Sequence, residues 1–397
     1  MMMKLRVREK FFRFALFGVV FFLFSVFIRP RKGREKIVGF AAARFAGNIK
    51  YLYKEMARHS HVRTYFVTSE KAEIKRLGRK GVFVHLNMDF KSIPLFLRTH
   101  VWVTSHGPGW IPFAGFAGQF IPAFYRFKCG SKWVDVWHGL AFVHTERGKM
   151  LRNYDLGFVT SEFFKRYYSK EGGEKVAKII KITGYPRNDP LMDGRWSREE
   201  LEKELGIFSK GCKNILYAPT WGHKFKKKVF PWESTSNFLR QIEEFCEKYN
   251  CNFLIRMHPN WYLRNPNEMK QIENEAKYAE RIVHVPHSKY EDVQPLLYVS
   301  DVLITDWSSI ANDYLLLNRP IIFLETTFPV EKFVLGPEDR AGYIVKNKEE
   351  FFEKLSEAIT KPNLFQQKRK KIIKKLYKYT DGNSSKRCAE EILKLLN

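Results

Sequence analysis

The stretch from Asp301 to Glu325, D-V-L-I-T-D-W-S-S-I-A-N-D-Y-L-L-L-N-R-P-I-I-F-L-E, constrains the fold more than any other part of the chain. Val302-Leu303-Ile304 is a short apolar run without alternation, the pattern of a strand buried on both faces. Thr305-Asp306-Trp307-Ser308-Ser309 is a polar turn, and Ile310 to Leu317 is apolar at helical spacing. Pro320 stops that helix, and Ile321 to Leu324 is a second buried strand. This is one βαβ unit with a Ser-Ser pair where its helix opens. Backbone N–H groups and hydroxyls at such a place hold phosphate, although Asp306 or Ser308 would equally serve as a plain helix cap.

The same grammar recurs on both sides. Ile37 to Phe40, Val62 to Val67, Val82 to Leu86, Val101 to Thr104, Trp133 to Trp137, Leu156 to Thr160 and Ile179 to Thr183 read as strands with helical or polar spacers. After a connection over residues 190–212 the pattern restarts at Asn214 to Tyr217, Asn252 to Ile255 and Ile282 to Val285. Ser197-Arg198-Glu199-Glu200 has the form of a capping box and predicts a helix to about Leu205. Alternating strands and helices over 397 residues predict an α/β protein with two parallel sheets. The expected divisions are an anchor over 1–35, an N-terminal domain over 36–190, a linker over 191–212, a C-terminal domain over 213–380 and a last helix over 381–397.

Charge narrows the partners. Formal net charge is +27, which calls for an anionic one: nucleic acid, an acidic membrane surface or a phosphate-rich substrate. Residues 1–36 hold ten Lys or Arg against two Glu, around the uncharged, Phe-rich run Phe14 to Ile28. No small-residue cleavage site follows it, so a membrane anchor is expected, spanning or lying in the interface. Residues 106–128 mix Gly, Pro and aromatics, either as a buried irregular connection or as an apolar loop that touches lipid. Lys368 to Lys378 carries seven Lys or Arg and no acid. The five cysteines are scattered without a C-x-x-C, so neither zinc nor a disulfide framework is expected.

Ligands of open parallel sheets bind beyond the carboxyl ends of the strands. His138, Arg187, Thr220, His258 and Asp306 to Ser309 all fall just after predicted strands, divided between the two halves. Arg256, His258, Ser308 and Ser309 are donors suited to phosphate, and His138, before a glycine, suits a general base. A histidine after a strand is also an ordinary hydrogen-bonded residue, and His106, His144 and His223 are further candidates. No P-loop, dinucleotide fingerprint, H-x-x-x-H pair or D-x-D occurs, so no metal and no cofactor are expected. These residues alone leave open a glycosyltransferase using a nucleotide sugar, or a basic membrane- or polyanion-binding protein.

V-D-V-W-H-G (Val134–Gly139), G-Y-P-R-N-D (Gly184–Asp189), I-L-Y-A-P-T-W (Ile215–Trp221), R-M-H-P (Arg256–Pro259), L-I-T-D-W-S-S (Leu303–Ser309) and D-G-N-S-S (Asp381–Ser385) follow one another in a familiar order. In that order the chain resembles the CDP-glycerol glycerophosphotransferases, the teichoic-acid primases and polymerases. The resemblance implies a GT-B-like fold, with two Rossmann-like domains across a cleft and the nucleotide held by the C-terminal one. It implies His138 as base, and His258, Ser308 and Ser309 on the donor's pyrophosphate, with Arg187 and Asp306 on further motif positions; Thr220, Arg256 and Thr305 are expected beside them as donor- or phosphate-binding residues. It also implies CDP-glycerol or another CDP-alditol as donor, a lipid-linked or anionic polymer acceptor rather than nucleic acid, and attachment to the cytoplasmic face of the cell membrane. The chain departs from the family at Leu140-Ala141-Phe142, at Gly222-His223-Lys224 and at Glu325-Thr326-Thr327, where the family tends to carry a hydroxyl and then Lys, an Arg, and an Asp.

Overall fold

A computed structural model describes residues 16–27, 35–78, 82–86, 89–107, 130–207, 211–220, 228–325 and 333–396. Backbone contacts divide the chain into two compact units: Met1–His138, Glu146–Asp189 and Lys378–Asn397 in the first, Gly139–Thr145 and Pro190–Tyr377 in the second.

The first unit holds seven parallel strands: β1 (Lys36–Ala41), β2 (Val62–Thr68), β3 (Val84–Leu86), β4 (Val101–Thr104), β5 (Lys132–Asp135), β6 (Leu156–Val159) and β7 (Ile180–Ile182). Their order is β3-β2-β1-β4-β5-β6-β7. The second holds six: β8 (Lys213–Tyr217), β9 (Cys251–Ile255), β10 (Ile282–His284), β11 (Val302–Thr305), β12 (Ile321–Leu324) and β13 (Tyr343–Val345), in the order β10-β9-β8-β11-β12-β13. Each sheet is therefore doubly wound, with its order reversing beside its first strand: β1/β4 in one, β8/β11 in the other. The apolar runs supply the reason. Central strands such as β4, β6, β11 and β12 are buried at every position, so helices must cover both faces. Gly39 in β1 has a packing role: a Cβ there would stand 2.7 Å from the Trp102 ring on β4.

The last helix, Ser384–Leu396, packs in the first unit, where Cys388, Ala389 and Ile392 share a core with Val38, Phe40 and Val103. Its attachment explains two of the sequence motifs at once. Asp189 of G-Y-P-R-N-D accepts the backbone N–H of Ser384 (2.8 Å) and of Ser385 (2.7 Å) from D-G-N-S-S. A carboxylate nearly two hundred positions away in sequence thus satisfies this helix's first free donors. Cys246 lies late in the helix Thr235–Tyr249 and Cys251 at the start of β9. Cys212, Cys246, Cys251 and Cys388 are all free thiols.

Of the two forms expected for the anchor, the described residues do not show the spanning one: residues 16–27 are helical, but among the described residues no helix is long and apolar enough to cross a membrane. One side of this stretch, Phe17, Phe21 and Ser25, is buried, with Phe17 edge-on to Phe90 at 5.2 Å. Leu16, Val19, Phe22, Leu23, Phe24, Val26 and Phe27 are exposed. The aromatic run from 108 onward lies outside the described residues.

Candidate active site

In the first unit the site is built on the turn after β5. The sequence predicts a strand through Trp137, but the strand ends at Asp135. The Asp135 carboxylate accepts the Trp137 N–H at 3.3 Å, and Trp137 takes a left-handed φ of 49°. Gly139 follows at φ 157°, a region costly to a side chain. Asn48, in the first turn of the helix Gly47–Met56, donates its amide to the carbonyls of Val136 (3.0 Å) and Trp137 (2.9 Å) and accepts the Arg187 N–H at 3.0 Å. One buried amide thus joins the W-H-G turn to the Y-P-R-N turn.

Below them lies a buried ion pair. Arg147, fully buried, meets Asp135 at 2.6 Å and donates to Tyr185 Oη (2.9 Å) and to Phe158 O (2.7 Å). Its guanidinium faces the rings of Trp137 and Tyr168 at 5.1 and 4.9 Å. Burial pushes the Asp135 pKa up, against the pull of Arg147. The arrangement fixes the turn's backbone from beneath.

His138 sits on this frame. Its Nδ1 lies 3.3 Å from Ser105 O, and a carbonyl only accepts, so Nδ1 carries the proton and the lone pair is on Nε2. The His106 ring stacks on it at 4.1 Å and 8°. His138 is exposed to solvent, yet the protein packed around it pushes its pKa down to about 3. Loss of hydration is the first cause; His106, Arg187 and Arg147 add to it, while the Ser105 carbonyl opposes them. His106 is pushed down to about 4, by lost hydration and then Arg187. The base candidate is therefore neutral, with a fixed tautomer. Arg187 donates through Nη1 to His138 O, so it positions this turn.

In the second unit the switch point lies between β8 and β11. Thr220 after β8 donates its N–H (2.9 Å) and its hydroxyl (2.8 Å) to the two oxygens of Asp306 after β11. Thr305 donates to Ala218 O at 2.8 Å, and Trp261 Nε1 to Thr220 O at 3.3 Å. Thr220, Thr305 and buried Asp306 form the frame of this edge. Ser308 and Ser309 differ: both are half-buried, and among the described residues their hydroxyls make no hydrogen bond. Ser309 precedes the short helix Ile310–Leu315 without a side-chain cap.

His258 ends the turn after β9 and is exposed. Its Nδ1 accepts the Asn260 N–H at 3.2 Å, so the neutral ring carries its proton on Nε2. That is the opposite tautomer to His138. Arg256 follows β9 in the same turn. Its guanidinium is buried and donates to Val285 O (3.3 Å) and Glu291 O (3.1 Å), holding the loop after β10. Among the described residues no three His, Cys, Asp or Glu side chains form a group that could hold a metal ion.

The profile of a known family, CDP-glycerol:poly(glycerophosphate) glycerophosphotransferase, matches residues 22–394. The chain belongs to this family of transferases. It is 26% identical over 419 aligned residues to the teichoic acid ribitol-phosphate polymerase TarL of Staphylococcus aureus, covering 98% of this chain and 68% of TarL. A teichoic acid glycerol-phosphate transferase of the same organism is 25% identical, with 92% and 94% covered. Against the polymerase TarK and a Bacillus spizizenii poly(ribitol-phosphate) polymerase the chain spans only 66% and 36% of their lengths. In fold it is similar to the wall teichoic acid polymerase TagF: TM-score 0.72, 18% identity, 100% of this chain and 95% of that one.

Within this glycerophosphotransferase family member, the departures after His138-Gly139 acquire a physical meaning. Leu140 and Phe142 are buried in the second unit, Phe142 edge-on to Trp307 at 5.7 Å. Asn312 donates to Leu140 O at 2.8 Å, and Phe142 O accepts from Val334 and Leu335. Leu140-Ala141-Phe142 is therefore a packing element. Gly222-His223-Lys224 lies outside the described residues. Sequence reasoning names neither Asn48 nor Arg147 as part of the site; Asp135 lies within V-D-V-W-H-G, and the Gly47-Asn48 pair after β1 is the local signal for Asn48.

Proposed function

We propose that the chain transfers glycerol phosphate, or a related alditol phosphate, from a CDP-activated donor to a hydroxyl of a lipid-linked or polymeric acceptor, releasing CMP. The observation that carries this reading is the opposite wiring of two histidines at the carboxyl edges of two doubly wound sheets. His138 presents a bare Nε2 and His258 a protonated one. The first is a proton acceptor and the second a donor to anionic oxygen, as phosphoryl transfer between a hydroxyl and a diphosphate requires.

In the proposed step His138 Nε2 takes the proton of the acceptor hydroxyl. The resulting oxygen forms its bond to the alditol-bearing phosphorus, the bond from that phosphorus to the bridging oxygen breaks, and CMP leaves with the electron pair. His258 with the Ser308 and Ser309 hydroxyls supplies hydrogen bonds to the diphosphate, which gains charge on its leaving oxygens. Arg187, Arg256, Thr220, Thr305 and Asp306 hold the turns in shape. Relatives named for ribitol and for glycerol phosphate both support an alditol donor.

We also propose attachment to the cytoplasmic face of the membrane, with the helix of residues 16–27 lying in the interface. Its exposed side is wholly apolar, and basic residues crowd the sequence on both sides of it. The decisive experiment is CMP release from a panel of CDP-alditols with a lipid-phosphate acceptor, beside UDP-sugars. CMP from the alditols alone supports the reading; UDP from a sugar donor, or no turnover with any alditol, overturns it. Flotation on anionic vesicles tests attachment, which Phe22→Asp with Phe27→Asp should abolish.

A further inference from the structure

The departure at Glu325 leads to a residue that no motif includes. Glu325 follows β12 directly, and its carboxylate pairs with Arg340 Nη2 at 3.0 Å. Arg340 is 3% exposed. Its guanidinium lies over the Trp307 ring at 4.2 Å and near Phe323 at 5.9 Å. Its face and one corner are thus fixed, but among the described residues Nε and Nη1 are buried without a hydrogen-bond partner. A buried guanidinium edge left unmet is costly, so a native protein keeps one where some oxygen occupies it part of the time. Trp307 is the chain neighbour of Ser308 and Ser309, whose hydroxyls are also unmatched. Unmet donors therefore accumulate around one turn.

The ligand's chemistry follows from Glu325. An Arg edge alone would suit phosphate, but here a carboxylate neutralises the guanidinium and would repel a second anion. Glu325 is only partly buried, at 38% side-chain exposure, and so retains acceptor capacity. A guanidinium beside a carboxylate offers a donor and an acceptor together. A hydroxyl, which both donates and accepts, matches that pair better than an acceptor-only phosphate oxygen. We infer that Arg340 and Glu325 form a polyol subsite that reads a hydroxyl of the donor's alditol. The inference rests on the donor class proposed above and assigns the alcohol end to the turn carrying Trp307.

Calorimetric binding tests it without turnover, using CDP-glycerol and plain CDP on the full chain. Arg340→Lys keeps the charge beside Glu325 and removes the planar edge. It should weaken CDP-glycerol by about tenfold, the loss of one charge-assisted hydrogen bond, and leave CDP within about twofold. Arg340→Gln, which retains an N–H, should fall between. If both ligands weaken equally in both folded variants, Arg340 acts on the phosphates or on the turn as a whole, and the polyol subsite is wrong. Unchanged affinity for both also overturns it. If the wild type binds CDP-glycerol no better than CDP, the donor class itself fails, a result that the variants do not affect.

Discussion

The turns carrying His138 and His258 occupy equivalent places, each beyond the carboxyl end of a parallel strand, and they are wired oppositely. His138 is held by a carbonyl, which puts its proton on Nδ1; His258 is held by an amide N–H, which puts its proton on Nε2. The turn beneath His138 is over-determined by a buried ion pair, a buried amide and a left-handed Trp137. The unit holding His258 supplies a looser set of donors, with Ser308 and Ser309 unmatched. A base needs one orientation set in advance, whereas phosphate donors need only converge on charge when it arrives. The same edge of the same sheet type thus yields two tautomers, decided by which backbone group meets an imidazole nitrogen.

The comparison breaks most readily at His138. His138→Ala should lower kcat roughly a hundred- to ten-thousand-fold, the usual worth of a general base, with CDP affinity nearly intact. Lost CDP binding in that variant would remove the asymmetry of roles. Next in size is the frame. Arg147→Met strands the Asp135 carboxylate and should cost about 3–5 kcal/mol in urea unfolding. Breaking the Thr220–Asp306 pair with Thr220→Val should cost only about 1 kcal/mol, since the backbone N–H remains. Equal costs would mean that the two turns are held alike.

His258→Ala should weaken the donor by about tenfold while CMP release continues. The pH profile sharpens the contrast further. With a folded pKa of about 3, His138 remains neutral in the free enzyme well below pH 6, so kcat/KM should stay flat from pH 8 to 5. A bound diphosphate would raise that pKa, placing the acid limb of kcat higher than that of kcat/KM. An acid limb of kcat/KM near the ordinary histidine value would show that the stacked pair does not depress His138. For stability the sign runs the same way. Below the ordinary histidine pKa the unfolded chain takes up protons that His106 and His138 refuse, so stability falls as pH drops from there toward 4. His106→Gln should lessen that fall in thermal melts. The smallest effect is expected from Asn260→Pro, which removes the N–H that fixes the His258 tautomer and should raise the donor KM a few-fold.

Sequence by itself determined the two parallel sheets, because continuous apolar runs at short spacing leave a strand no exposed face. It also located His138, His258 and the Ser308-Ser309 pair, because turns at strand ends are written in contiguous residues. What only the tertiary structure decided were the partners. Asn48 joins turns 88 and 139 positions away, Asp189 meets Ser384 across 195, and Arg340 meets Glu325 across 15. Arg256 likewise finds carbonyl partners 29 and 35 positions on, in Val285 and Glu291. Burial and hydrogen-bond complementarity act through space. Local pattern can therefore announce a polar side chain, while the surrounding fold decides whether it faces substrate or holds up another residue.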